Sequence, residues 1–171
     1  MSSKSTSTRG FATIALCIMA AGLFACGADQ GERKLEEAFW DKGPPPILRF
    51  RGEKVYWDGE WVNDGLASFY DELGRLVGEG RFDMGQETGE WTLERNGFTE
   101  LGAFSSGKRH GDWTYKYPSG KSQEKGRYNM AKREGEWRSF YSNGDLKAIR
   151  VYVDGKLKGE PETWDADGHR N

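Results

Sequence analysis

The stretch "GRYNMAKREGEWRSFYSNG", residues 126–144, decides how this chain is read, because its layout recurs. Residues 102–120, "GAFSSGKRHGDWTYKYPSG", repeat it: glycine-x-aromatic, a short turn, a glycine-acid-Trp triplet, then Tyr and a second turn glycine. The triplet is therefore one corner of a repeating unit and not a portable motif.

Working outward, Gly65, Gly89, Gly111, Gly135 and Gly159 follow one another at spacings of 24, 22, 24 and 24 residues. A second set, Gly74, Gly97, Gly120, Gly144 and Gly168, trails them by eight or nine residues. It includes Asn96-Gly97, Asn143-Gly144 and Asp167-Gly168, pairs that supply the positive φ angles of tight hairpin turns. Tyr56, Phe82, Phe104, Tyr128 and Tyr152 keep the same period. A fixed period in this range marks a repeat array, and each unit here reads as one β-hairpin. The unit starting at Gly89 is two residues short, one on each side of Gly97. The first Gly-Glu-Trp, residues 59–61, is out of phase: Val55-Tyr56-Trp57-Asp58-Gly59 aligns with Val151-Tyr152-Val153-Asp154-Gly155, so Gly59 belongs to the other turn.

Residues 102–120 and 126–144 resemble the bacterial variant of MORN repeats in their order of Gly-x-aromatic, Gly-Lys, Gly-acid-Trp, Tyr and Asn-Gly. The likeness runs from about Lys54 to the C-terminus and thins at its ends. Leu66-Ala67 replaces the acid-Trp pair, Ala131 replaces a turn glycine, and Pro161 replaces Trp. The resemblance implies an all-β, elongated single-layer antiparallel sheet of tandem hairpins, with a binding or tethering role and no enzymatic activity of its own. Some bacterial relatives are labelled antitoxins, so an immunity protein acting through the same surface is the alternative that the resemblance carries.

Composition agrees with strands and turns. Seven Trp, seven Tyr and nine Phe accompany 24 Gly in a polar chain of mean hydropathy −0.83. Aromatic residues suit half-buried pleated surfaces, and glycines suit turns. The N-terminus is of another kind. Lys4 and Arg9 precede an apolar run, residues 11–25, which is short for a membrane span of ~20 residues but fits a signal-peptide core. It ends in Leu23-Phe24-Ala25-Cys26-Gly27, which resembles a bacterial lipobox. That likeness implies cleavage before Cys26, lipidation of Cys26, anchoring in the cell envelope and, from Gly27, the outer membrane. Cys17 lies within the apolar run, so the processed chain has no thiol pair and no disulfide framework. Residues 1–25 read as the signal peptide and 26–46 as an acidic, proline-rich tether able to form a helical turn or two at 32–40. The repeat domain is then 47–171.

On a strand, residues two apart share a face. Trp113, Tyr115 and Tyr117 fall together, as do Trp137, Ser139 and Tyr141, facing Phe104, Tyr128 with Met130, and Tyr152. This aromatic stripe reads as core, with part of it available to line a groove. Glu90, Asp112, Glu136 and Glu160 fall on the other face. An evenly repeated row lacks the two differently tuned acids that hydrolysis needs, so they read as solvated partners of Lys and Arg.

Residues 102–109 approach a phosphate-binding loop, but Arg109 stands where the hydroxyl should be and His110-Gly111 follows instead of a helix. Two isolated histidines, His110 and His169, make neither a metal site nor a catalytic triad. No cofactor, nucleic acid or small-molecule substrate is indicated. Charge is uneven: 9 cations against 17 acids over residues 26–107, then 9 against 4 over residues 108–138. Lys108-Arg109 and Lys132-Arg133 recur at one edge, where they are candidates to meet an acidic protein or an anionic envelope polymer. With Trp113 and Trp137 they form the candidate partner-binding set.

Overall fold

Every strand but the last pairs with its predecessor in the sequence. The computed structural model describes residues 31–41 and 45–171. The candidate signal peptide, the candidate lipidation site Cys26 and part of the proline spacer lie outside the described residues. Twelve strands form one antiparallel sheet: β1 Arg33–Trp40, β2 Ile47–Trp57, β3 Glu60–Tyr70, β4 Leu76–Asp83, β5 Gln86–Arg95, β6 Phe98–Ser105, β7 Lys108–Lys116, β8 Ser122–Asn129, β9 Lys132–Phe140, β10 Leu146–Val153, β11 Lys156–Leu157 and β12 Glu162–Thr163. Spatial order follows chain order through β11, and β12 pairs β10. This is the all-β, single-layer hairpin sheet read from the repeat.

Two kinds of turn alternate. Along one margin, two-residue turns with both residues at positive φ close the hairpins at Asp58-Gly59, Met84-Gly85, Ser106-Gly107, Met130-Ala131 and Asp154-Gly155. Gly59 thus sits in this turn, as its phase required. Each of the last four turns also donates an N–H to the strand before its hairpin, as from Gly107 to Glu87 O (3.0 Å) and from Ala131 to Arg109 O (2.7 Å). Along the other margin, longer turns are closed by paired bonds, Tyr117 N to Lys121 O (2.8 Å) and Gly120 N to Tyr117 O (2.8 Å), repeated at 141–145 and 165–169. The short unit turns at Asn96-Gly97 with two residues only. It also lacks the irregularity found between Tyr115 and Lys116. The two missing residues therefore come from the turn and from a bulge, rather than one from each arm.

Two places differ from expectation. Residues 33–40 are neither helical turns nor tether but an edge strand, β1, paired with β2. Its alternation of exposed and half-buried residues follows a period of two, and Ala38 packs against the core cluster of Phe50, Ala67, Phe82 and Trp91. A short charged segment with alternating pattern takes the strand form when a neighbouring edge completes its hydrogen bonds. Met130 does not share a face with Tyr128: it occupies the turn, at φ 47° and 41% exposed.

The core is a single file of rings on one face. Neighbours meet at centroid distances of 5.1 Å (Phe82–Trp91), 5.9 Å (Trp91–Phe104), 5.2 Å (Phe104–Trp113), 6.0 Å (Trp113–Tyr128), 4.9 Å (Tyr128–Trp137) and 6.4 Å (Trp137–Tyr152). All six are edge-to-face, the arrangement that the ring quadrupole favours.

Candidate functional site

The Gly-acid-Trp corner is a β-bulge. Gly102 and Ala103 of β6 face Trp113 and His110 of β7, so Gly111 and Asp112 are extra residues on that side. The same irregularity places Gly89-Glu90-Trp91 opposite Gly80 and Gly135-Glu136-Trp137 opposite Gly126. The bulge glycines have φ of 66°, 77° and 68°, a region that costs a residue with a Cβ about 1–2 kcal/mol. Each bulge turns its acid outward and its indole inward. It also leaves a carbonyl of the neighbouring strand free, and the indole N–H takes it: Trp91 to Arg81 O at 3.2 Å, Trp113 to Ala103 O at 3.0 Å, Trp137 to Arg127 O at 3.1 Å.

Alternation puts the two members of each basic dipeptide on opposite faces, and the bulge brings the arginine close to its Trp. Because it absorbs two residues, Arg109 and Trp113, four apart in sequence, become neighbours on one face. The Arg109 guanidinium lies 4.6 Å from the Trp113 ring centre and pairs with Glu100 at 2.5 Å. Arg133 lies 4.0 Å over Trp137, pairs with both oxygens of Glu124 at 2.6 and 3.1 Å, and reaches the Tyr152 hydroxyl at 3.3 Å. A planar cation on an indole, held by a carboxylate, is a strong combination in a half-buried setting. Lys132 instead pairs with Asp154 at 2.6 Å, with both side chains well exposed. Lys108 is exposed and has no ion-pair partner among the described residues.

Trp113 and Trp137 are each 1% exposed. They are core and offer a partner no surface. They carry the arginines against their rings and the bulge acids on the opposite face. The aromatic face near the lids also carries the Tyr115 hydroxyl, 3.0 Å from that of Tyr128. Burial, then the hydrogen bond with Tyr128, pushes the Tyr115 phenol above its ordinary range, so it stays neutral.

The opposite face was not resolved into a site by sequence. Here Asp112, Thr114, Lys125, Arg127, Glu136 and Arg138 surround a shallow depression of about 370 Å³ across β7, β8 and β9. Thr114, Lys125 and Arg138 lie in one transverse row, which only the register brings together. Arg138 pairs with Glu136 at 2.5 Å, and Lys125 lies 5.4 Å from the Phe140 ring centre. Arg127 has no ion-pair partner among the described residues. The signal missed in the sequence was alternation: Lys125 and Arg127 are two apart and so share a face. Asp165, Asp167 and His169 also cluster, but Asp165 Oδ1 accepts the N–H groups of Asp167 (3.0 Å) and His169 (2.8 Å), which makes it a turn cap. Asp71 caps the equivalent turn through Leu73 and Arg75.

These features define a β-hairpin repeat sheet with one face closed by arginine lids and the other open. The profile of the MORN repeat variant family matches residues 109–130 and 133–154. Both matches fall on the units that carry an arginine lid, the first starting at Arg109 and the second including Arg133. MORN repeats are in general modules that bind proteins or membranes, and the fold is typically non-catalytic. No curated protein matches the chain.

Proposed function

We propose that the chain is a non-enzymatic binding module, lipid-anchored through Cys26 in the bacterial cell envelope, that engages an anionic partner with its open sheet face. The observation that carries this reading is the division of labour between the faces. The aromatic face buries its large rings under Arg109 and Arg133, whereas the face bearing Lys125, Arg127 and Arg138 holds a shallow cation-lined depression. Lys108 and Lys132 extend that cationic surface along the two-residue turns. The bulge acids punctuate it and set where a partner's own cations fit. Evenly spaced, exposed carboxylates support binding over acid-base chemistry.

The test is crosslinking in cells followed by capture of the anchored protein. Lys125→Glu/Arg127→Glu removes the cationic surface without touching the core and is expected to abolish the crosslinked species, whereas Lys132→Glu alone weakens it. An unchanged crosslink with the double variant excludes this face as the binding surface. Cys26→Ala is expected to release the chain from membranes, and continued membrane retention contradicts the anchor.

A further inference from the structure

The two margins of the sheet are built differently. At the C-terminal side, β10 is covered by β11 and β12, two residues each, with Pro161 between them. Short strands and proline are how proteins blunt an edge against pairing. At the N-terminal side, β1 runs eight residues without Gly or Pro, and among the described residues no strand pairs with its other side. Leu35 is 59% exposed and Phe39 47%.

The sequence of that edge is self-complementary. Arg33-Lys34-Leu35-Glu36-Glu37 places two cations before a leucine and two acids after it. The Tyr56 N–H bonds to Glu32 O at 2.9 Å. By alternation along the register, residues 32, 34 and 36 turn their backbone groups to β2, while Arg33, Leu35 and Glu37 turn theirs outward. An antiparallel copy can use those outward groups only by pairing odd-numbered residues with odd. Pivoting on Leu35 does so, and it sets Arg33 against Glu37 and Lys34 against Glu36 on both sides. Sliding to the next allowed register sets Lys34 against Lys34, or Glu36 against Glu36, which repel. Existing pairs extend the match: Arg33 already holds Asp64 at 2.6 Å and Glu37 holds Arg51 at 3.0 Å, giving an alternating row Arg51–Glu37–Arg33–Asp64 across the two copies.

We propose that β1 is a homodimerisation edge, joining two copies of this chain antiparallel about Leu35 into one continuous sheet with closed two-fold symmetry. The charges exclude arbitrary strands while matching a second copy. Because the pairing is short, the dimer dissociates on dilution.

Disulfide trapping in the full chain in detergent, with Cys17→Ser and Cys26→Ser, tests the register. Facing Cα atoms in a hydrogen-bonded pair lie about 5.5 Å apart, within disulfide reach. Leu35→Cys is therefore expected to give a covalent dimer. Phe39→Cys, also exposed but about 27 Å from its copy in this register, is expected to give none. Adding Arg33→Glu/Lys34→Glu to one Leu35→Cys chain, or Glu36→Lys/Glu37→Lys to another, is expected to abolish trapping of each alone and to restore it on mixing. Equal trapping at 35 and 39 overturns the proposal. So does a chain that stays monomeric because its own residues before Gly31, or another partner, hold the edge. Failure of two variants with unchanged melting to pair on mixing also overturns it.

Discussion

Trp137 lies flat against Gly126 of the neighbouring strand, where a Cβ at residue 126 would come within 2.3 Å of the indole. The relationship recurs eleven residues apart, at Gly80–Trp91 (2.1 Å) and Gly102–Trp113 (2.4 Å). The next pair in the series is Arg150 and Pro161: where the indole is lost, the glycine is lost too. The glycine of the Gly-x-aromatic marker is therefore a seat for a ring and not a turn residue. Gly126→Ala is expected to cost about 1–3 kcal/mol through overpacking, and Trp137→Ala about 3–5 kcal/mol through the cavity. Denaturant unfolding measures both, and combining the two changes should recover much of the glycine penalty, since the added methyl then has room.

Ala131 holds φ 70° in a two-residue turn whose equivalents at 59, 85, 107 and 155 are all glycine. Glycine adopts this conformation without the Cβ clash, although it costs entropy in the unfolded chain. Ala131→Gly is expected to stabilise by about 0.5–1 kcal/mol, raising the melting temperature by a few degrees. Calorimetry checks it, and an unchanged or lowered midpoint would mean that the turn relaxes to accommodate alanine.

The arginine lids are expected to behave as structural residues. Arg133→Ala strips the cation from Trp137 and leaves Glu124 without its partner, at a cost of about 1–3 kcal/mol. Lysine cannot reproduce the bidentate pair while stacking, so Arg133→Lys should recover only part. A double-mutant cycle with Glu124→Gln reads the coupling, and a value near zero would show that the pair contributes nothing beyond its separate parts.

Glu36 on β1 is hydrogen-bonded by Lys34 and Lys54 at 2.8 and 2.9 Å. The Lys34 bond first, then the Lys54 bond, lowers its pKa from the ordinary 4.5. A carboxylate depressed in the folded state adds stability above its unfolded pKa, and that stability is lost as pH falls through the lower folded value. The Glu36→Gln variant should therefore lose less stability than the parent on acidification below pH 4.5. Thermal melts across that window decide it, and parallel curves would remove Glu36 from the acid response.

By itself, the sequence determined the period, the hairpin class and the turns. Positive-φ positions are local requirements, and Asn-Gly, Asp-Gly and the bulge glycines meet them within a few residues. It also identified the rings as one stripe, because alternation is local too. Only the tertiary structure decided what cross-strand contact controls. The bulges at Gly111 and Gly135 take up two residues each and so draw Arg109 and Arg133 into contact with the Trp113 and Trp137 rings, four positions on in sequence. Register brings Thr114, Lys125 and Arg138 into one row. β1 becomes a strand because β2 offers it an edge, whereas "RKLEEAFW" alone suits a helical turn equally well. Local chemistry fixes where a chain reverses, but which side chains meet across a sheet depends on register, and register here is set by bulges whose consequences appear on the neighbouring strand.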